Sequence, residues 1–353
     1  MDTKSLRVGS RIDHPVYGTG TVVFVGEEYL GIAFAEGGEA LLRRDGLEQP
    51  SAPVVAADAS GQAARPRPES TFVFEHDEGR HFPGSHWEPF VEEASAMLRR
   101  LPEFLGKAQL SPDFEKSAHA HRRLPPGWAQ GMPLVWPNAQ QGLAMIVKIE
   151  EDANNLVAVF PVFAEGGAQR LRLKAVQVWE SGLEAQITAA WGEAEVTFFD
   201  TGFVEHRLTY EAGREYDFAL VGIAYDAQPA ERREMQVTHH PDVVAWMNRH
   251  RHADEEPFAA VATLHLDGMA MFLPIEAWDV DDYEFRGPVK AVEPFTDWLG
   301  QDGWRVRATV MRFGEVDADL DIVITRRAWR GSEPPQPGQD IEGCLWLQGR
   351  RLR

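Results

Sequence analysis

Twelve histidines and several tight groups of carboxylates are the side chains of this 353-residue sequence whose types and spacing could do chemistry. His76, His81 and His86 recur every five residues, His119 and His121 are one residue apart, and His239, His240, His250 and His252 gather near Asp254. Imidazoles so grouped suit zinc, which needs three or four ligands converging at about 2 Å. None of the groups forms a His-Glu-x-x-His helix face or a Cys-His finger, so they predict loop and surface histidines rather than a metal centre. His250 and His252, beside Arg249 and Arg251, could equally contact a partner.

Asp317, Asp319 and Asp321 alternate and therefore share one face of a strand, while Glu276, Asp279, Asp281, Asp282 and Glu284 crowd a loop. Such sets bind Mg²⁺ or Ca²⁺ when a positioned lysine, histidine or further ligand completes them, and no EF-hand spacing is present. Alternation with Leu320, Ile322 and Ile324 predicts a solvated strand face instead. The lone cysteine, Cys344, excludes an intramolecular disulfide and a Cys-rich zinc site, and its Ile-Glu-Gly-Cys-Leu-Trp setting reads as a packed strand. No Gly-x-Ser-x-Gly is present. The sequence thus assigns no catalytic, metal-binding or cofactor-binding residue and predicts no cofactor. A metal-dependent hydrolase built on the aspartates is the remotest of the readings.

The elements that would position these groups are mostly strands. Gly9 to Val23, Tyr29 to Phe34 and Glu39 to Leu42 form three short apolar runs separated by glycine-rich turns, which predicts an SH3-like or Tudor-like barrel over residues 1–49. Residues 50–70, rich in Ala, Pro and Ser, read as a flexible linker. Residues 71–140 read as an irregular region with one amphipathic helix, where Phe90, Ala94, Met97, Leu98 and Leu101 recur at helical spacing. Two β-rich domains are expected at 141–235 and 236–353, separated by a short helix at Pro241–His250. Leu183–Ala189, Glu195–Asp200 and Gly213–Leu220 resemble Trp304–Val310, Ala318–Ile324 and Gly338–Leu345, as tandem OB-like or Greek-key barrels would. The fold class is therefore mainly β with some α.

Residues 9–47 also resemble the small barrel at the C-terminus of UvrD/PcrA-type DNA helicases. Gly9, Arg11, His14, Pro15, Gly18, Gly20, Val22 and Val23 follow that pattern, and Ile32 to Phe34 with Gly37 and Gly38 match its second strand and turn. The helicases' ATP-binding loop is absent, so the resemblance implies docking and not ATP hydrolysis. It implies a protein partner such as RNA polymerase or a DNA-repair or defence complex, met by the barrel residues Arg11, His14, Tyr17, Tyr29 and Arg43.

Charge separates the remaining readings. Residues 179–226 hold ten acids against Arg207 and Arg214, and residues 253–303 hold twelve against Arg286 and Lys290, which together make up most of the net charge of −20. Such a surface repels a phosphate backbone and suits a basic protein patch. A non-enzymatic adaptor, tethering one partner through the barrel and another through the acidic body, is the leading expectation. The alternative is a single-stranded nucleic-acid binder that stacks bases on Phe198, Phe199, Tyr210, Trp304 or Trp329 and meets phosphates with Arg326, Arg327 and Arg330. No apolar run spans a membrane and no signal-peptide pattern opens the sequence, so a cytoplasmic location without membrane contact is expected.

Overall fold

A computed structural model describes residues 6–14, 18–26, 28–34, 38–43, 71–74, 85–116, 124, 127–251 and 257–352. In chain order they form β1 (Arg11–His14), β2 (Gly18–Val25), β3 (Tyr29–Phe34), β4 (Gly38–Arg43), β5 (Phe72–Phe74), α1 (Ala94–Leu105), β6 (Gln109–Leu110), α2 (Pro112–Lys116), β7 (Gln130–Trp136), β8 (Gln141–Ile149), β9 (Asn154–Phe163) and β10 (Gly167–Val178). There follow β11 (Ala185–Trp191), β12 (Ala194–Asp200), α3 (Phe203–His206), β13 (Glu215–Pro229), β14 (Glu234–Thr238), α4 (Pro241–His250), β15 (Val261–His265), β16 (Met271–Pro274), β17 (Asp282–Trp298), β18 (Gln301–Phe313), β19 (Val316–Thr325) and β20 (Asp340–Arg351). The class is β-rich α+β. No helix among the described residues is long and apolar enough to cross a membrane. The expected linker at 50–70 lies outside the described residues.

The chain divides into two compact units, one of residues 1–67 with 232–266 and one of residues 68–231 with 267–353. In the first, β1 to β4 form an antiparallel sheet in sequence order. Period-two alternation turns Ile12, Val22, Leu30, Ile32 and Phe34 inward to a small core with Leu6 and Leu42. The hairpin β14–β15 and helix α4 complete this unit, drawn from a segment far along the chain. Helix α4 begins where His240 accepts a hydrogen bond from Asp242 N, with Pro241 in its first turn, and Asp242 sits where the helix dipole favours an anion.

In the second unit, strands from 141–235 and 236–353 share one ten-stranded sheet rather than forming two successive sheets. The pairing closes on itself twice. One circuit runs β10, β11, β12, β20, β13 and back to β10. The other runs β17, β18, β19, β13, β20 and back to β17. Strands β13 and β20 belong to both and pair antiparallel about Gly222 and Leu347.

The two circuits are built alike. The buried row Leu173, Ala189, Val196 is matched by Val289, Ala308, Leu320. A register shift follows directly after Leu173 in one and Val289 in the other. Each second hairpin turns on Gly-Glu with the glycine in the left-handed region, Gly192 at φ 59° and Gly314 at φ 60°. Gly213 at φ 82° and Gly338 at φ 84° stand two residues before the shared strands. A bulge and turn glycines recurring at matching positions make the two circuits a structural repeat.

Against the shared strands lies a second core, contributed by the β6–β7–β8–β9 sheet and α1. Phe198, Ile322, Leu220 and Leu345 face the first core while Phe199, Val323, Val221 and Trp346 face the second. Helix α1 starts at Ala94, later than its amphipathic pattern begins. Phe90 lies in the turn before it, edge-on to Trp298 at 4.6 Å, and α1 buries Met97 and Phe104 while Leu98 is exposed.

Candidate functional site

The outer face of the N-terminal four-stranded sheet carries two of the described docking candidates, Arg11 and Tyr29. Arg11, Thr21 and Ala33 stand opposite one another across β1, β2 and β3, and Arg11 is exposed. Further along the same face Phe24 lies opposite Gly31, and Tyr29 opposite Arg43. His14 pairs with Gly18 at the sheet end. Tyr17 lies outside the described residues.

Helix α4 covers the Tyr29 end of this face. Asp242 Oδ2 accepts from Glu28 N at 2.7 Å and Tyr29 N at 3.3 Å, so the carboxylate caps the β2–β3 turn. The Trp246 ring lies edge-on to Phe24 at 5.6 Å, His240 tilts against Tyr29 at 5.4 Å, and Arg249 donates to Val23 O. Two glycines make the approach feasible: a Cβ on Gly31 would lie 1.9 Å from the Trp246 ring, and one on Gly26 would lie 2.2 Å from the Asp242 carboxyl. A glycine inside a strand marks such close approach, and Gly31 in Tyr-Leu-Gly-Ile-Ala-Phe was the available signal for it.

The nucleic-acid candidates are not assembled into a platform. Phe198, Phe199, Tyr210, Trp304 and Trp329 are all buried, so their faces are taken by protein and closed to bases. Trp329 Nε1 donates to Glu333 O, Arg327 Nε donates to Glu88 O, Arg326 stacks over Trp304 at 5.2 Å, and Arg330 lies 3.9 Å from Asp226. The single-strand reading thereby loses its stacking surface.

The histidine groups dissolve in the same way. His86 is buried, stacked on Trp346 at 3.9 Å and hydrogen-bonded through Nδ1 to the Tyr225 hydroxyl; His239 packs on Phe258 and His250 on Trp246. His76, His81, His119, His121, His252 and Asp254 lie outside the described residues. No group of metal-ligating side chains occurs among the described residues. Asp317, Asp319 and Asp321 form a cross-strand ladder with Lys290, Arg312 and Arg307.

Two buried polar networks went unread in the sequence. In one, Arg350 donates to Glu205 at 2.7 Å and Asp113 at 3.0 Å, the Ser111 hydroxyl also donates to Glu205, and Tyr210 donates to Asp200 at 2.7 Å. Burial pushes the Glu184 and Asp200 carboxyls up to about 7 and raises Glu205, against the lowering effect of Arg350. The cavity between these acids and Phe160, Phe199 and Leu183 has room for about one water. In the other, Tyr225 donates to Asp282 at 2.6 Å and Trp346 Nε1 donates to Asp281 at 3.0 Å. Burial pushes Asp281 up to about 7 and Asp282 up to about 6. Both networks hold protons near neutrality, and the first offers no space for a substrate.

Comparison with known protein families, with characterised proteins and with solved structures finds no match.

Proposed function

We propose that this chain is a non-enzymatic adaptor whose N-terminal barrel docks on a large protein partner, RNA polymerase or a DNA-processing complex being the class the helicase-like barrel implies. The observation that carries the reading is the outer face of the barrel sheet. At one end its side-chain-free Gly26 and Gly31 receive a helix of the same chain, and toward the other lie the exposed Arg11 and the half-buried Thr21 and Ala33. A face that admits a helix so closely is a recognition surface. The paired circuits of the second unit read as two OB-like barrels fused through their last strands, here serving as a rigid body, because their aromatics are spent on the cores.

The test is quantitative affinity purification of the full-length protein and of Arg11→Glu/Thr21→Arg. The chief partner falls by at least about tenfold in the variant, as loss of a central contact demands, with circular dichroism unchanged. Recovery of the same partner at the same level from a folded variant overturns the reading.

A further inference from the structure

Most exposed carboxylates of the ten-stranded sheet are paired across strands. Glu215 and Asp217 meet Arg170, Glu195 meets Lys174, Glu293 meets Arg305, and Asp317 and Asp319 meet Lys290. Asp297 and Asp302 at the β17–β18 turn depart from this pattern, and so does the β16–β17 corner. Glu276 and Glu284 are exposed there and have no ion-pair partner among the described residues, and beside them stand the largest exposed apolar side chains of the region, Leu273 at 51%, Trp278 at 51% and Val280 at 54%.

Leu273 and Glu284 belong to one row, and Glu276, Trp278 and Val280 to the connection that joins their two strands. Leu273 lies opposite Glu284, Glu284 opposite Cys344, and Cys344 opposite Asp226, so the row crosses β16, β17, β20 and β13. Trp278 stands at its end, edge-on to Tyr225 at 5.7 Å. The half-buried Cys344 thiol senses the field: burial first, then the charges of Asp226, Glu284 and Asp282, push it up to about 11. Strand β16 ends the sheet, with no strand of the described residues on its outer side. Asp226 has Arg330 at 3.9 Å, but the unpaired charge of Glu276 and Glu284 near an exposed indole is complementary to a guanidinium or ammonium group, which gains both Coulomb attraction and a cation–π contact. A cluster of apolar side chains at a sheet edge is otherwise a liability that proteins cover.

We infer that the β16–β17 corner is a second docking surface, for a cationic segment of a partner protein that places an arginine or lysine over Trp278 and its aliphatic neighbours on Leu273 and Val280. It lies apart from the barrel face in sequence and is tested apart from it.

The experiment uses the intact chain and a fluorescent ten-residue peptide of alternating arginine and valine, read by anisotropy at low and moderate salt, with an alternating glutamate–valine peptide as counterpart. The cationic peptide binds, the acidic one does not, and binding weakens as salt rises. Glu276→Lys/Glu284→Lys weakens it at least about tenfold and Trp278→Ala at least about fivefold, while Glu92→Lys/Glu151→Lys, an equal change in net charge elsewhere, leaves it within a factor of about two. Equal losses in both charge variants reduce the binding to overall charge and overturn the proposal. So do no binding, an effect of Trp278→Ala below a factor of about two, or sedimentation showing a dimer that Trp278→Ala dissolves, which would assign the surface to a second copy.

Discussion

The two halves of the ten-stranded sheet share a frame and differ in what is bolted to it. Three residues beyond Gly222 in β13 stands Tyr225, and three beyond Leu347 in β20 stands Arg350, so the pair occupies matching positions about the point where the shared strands cross. Tyr225 joins His86 to Asp282 through hydrogen bonds of an uncharged hydroxyl, whereas Arg350 is a mostly buried cation between Glu205 and Asp113. The bulge, the Gly-Glu turns and the apolar rows are backbone and packing features that each half needs in order to close. The polar groups answer to different neighbours, α2 and α3 on one side and the turn before α1 on the other, and so have diverged.

That contrast is most easily broken by removing the two matched side chains. Arg350→Ala leaves the buried Glu205 and the half-buried Asp113 without their cation and lowers urea-measured stability by about 3–5 kcal/mol. Tyr225→Phe removes one hydroxyl between two polar groups and costs about 1–3 kcal/mol. Equal costs would mean that the halves are not held differently after all.

The pH dependence sharpens the same comparison. A carboxyl whose folded pKa is raised holds its proton more tightly when folded, so its stabilising contribution is full below its ordinary pKa and is lost as pH rises through the folded value. With Glu184, Asp200 and Asp281 near 7 and Asp282 near 6, stability falls between about pH 4 and pH 7. Asp200→Asn flattens the part of that slope belonging to one half and Asp281→Asn the part belonging to the other, as urea midpoints at stepped pH will show. A slope unchanged in either variant removes that half from the account. The smallest effect is expected from the surface ladder: Lys290→Ala leaves the urea midpoint within error, because exposed pairs contribute little.

Much of the frame was legible because it is written locally. Strands β8 to β12 follow from their apolar alternation, and the repeat of three strands is visible in Gly213 to Leu220 against Gly338 to Leu345. The parallel contacts of β12 with β20 and β13 with β19 join residues far apart in sequence and leave no periodic trace. Asp281, Asp282 and Asp321 look like members of a solvated acidic series, yet all three are buried, because their neighbours across the sheet and not their spacing decide burial. Of the N-terminal docking candidates, Arg11 and Tyr29 share one outer face of the sheet, as strand register dictates. The helix that covers part of it was legible only as a short amphipathic segment with no stated destination.

The covering of the N-terminal sheet's outer face by α4 has a consequence in time. Glu28 and its acceptor Asp242 are 214 residues apart, so at a synthesis rate of about 5–20 residues per second the nascent N-terminal sheet waits roughly 10–40 s before α4 exists to cover it. Throughout that interval the surface around Gly31 and Phe24 is a vacancy on a growing chain, open to chaperones or to the eventual partner. Stalled ribosomes carrying chains that end before and after residue 250 should differ in how readily a cysteine placed at Phe24, which packs on Trp246, reacts with a thiol reagent.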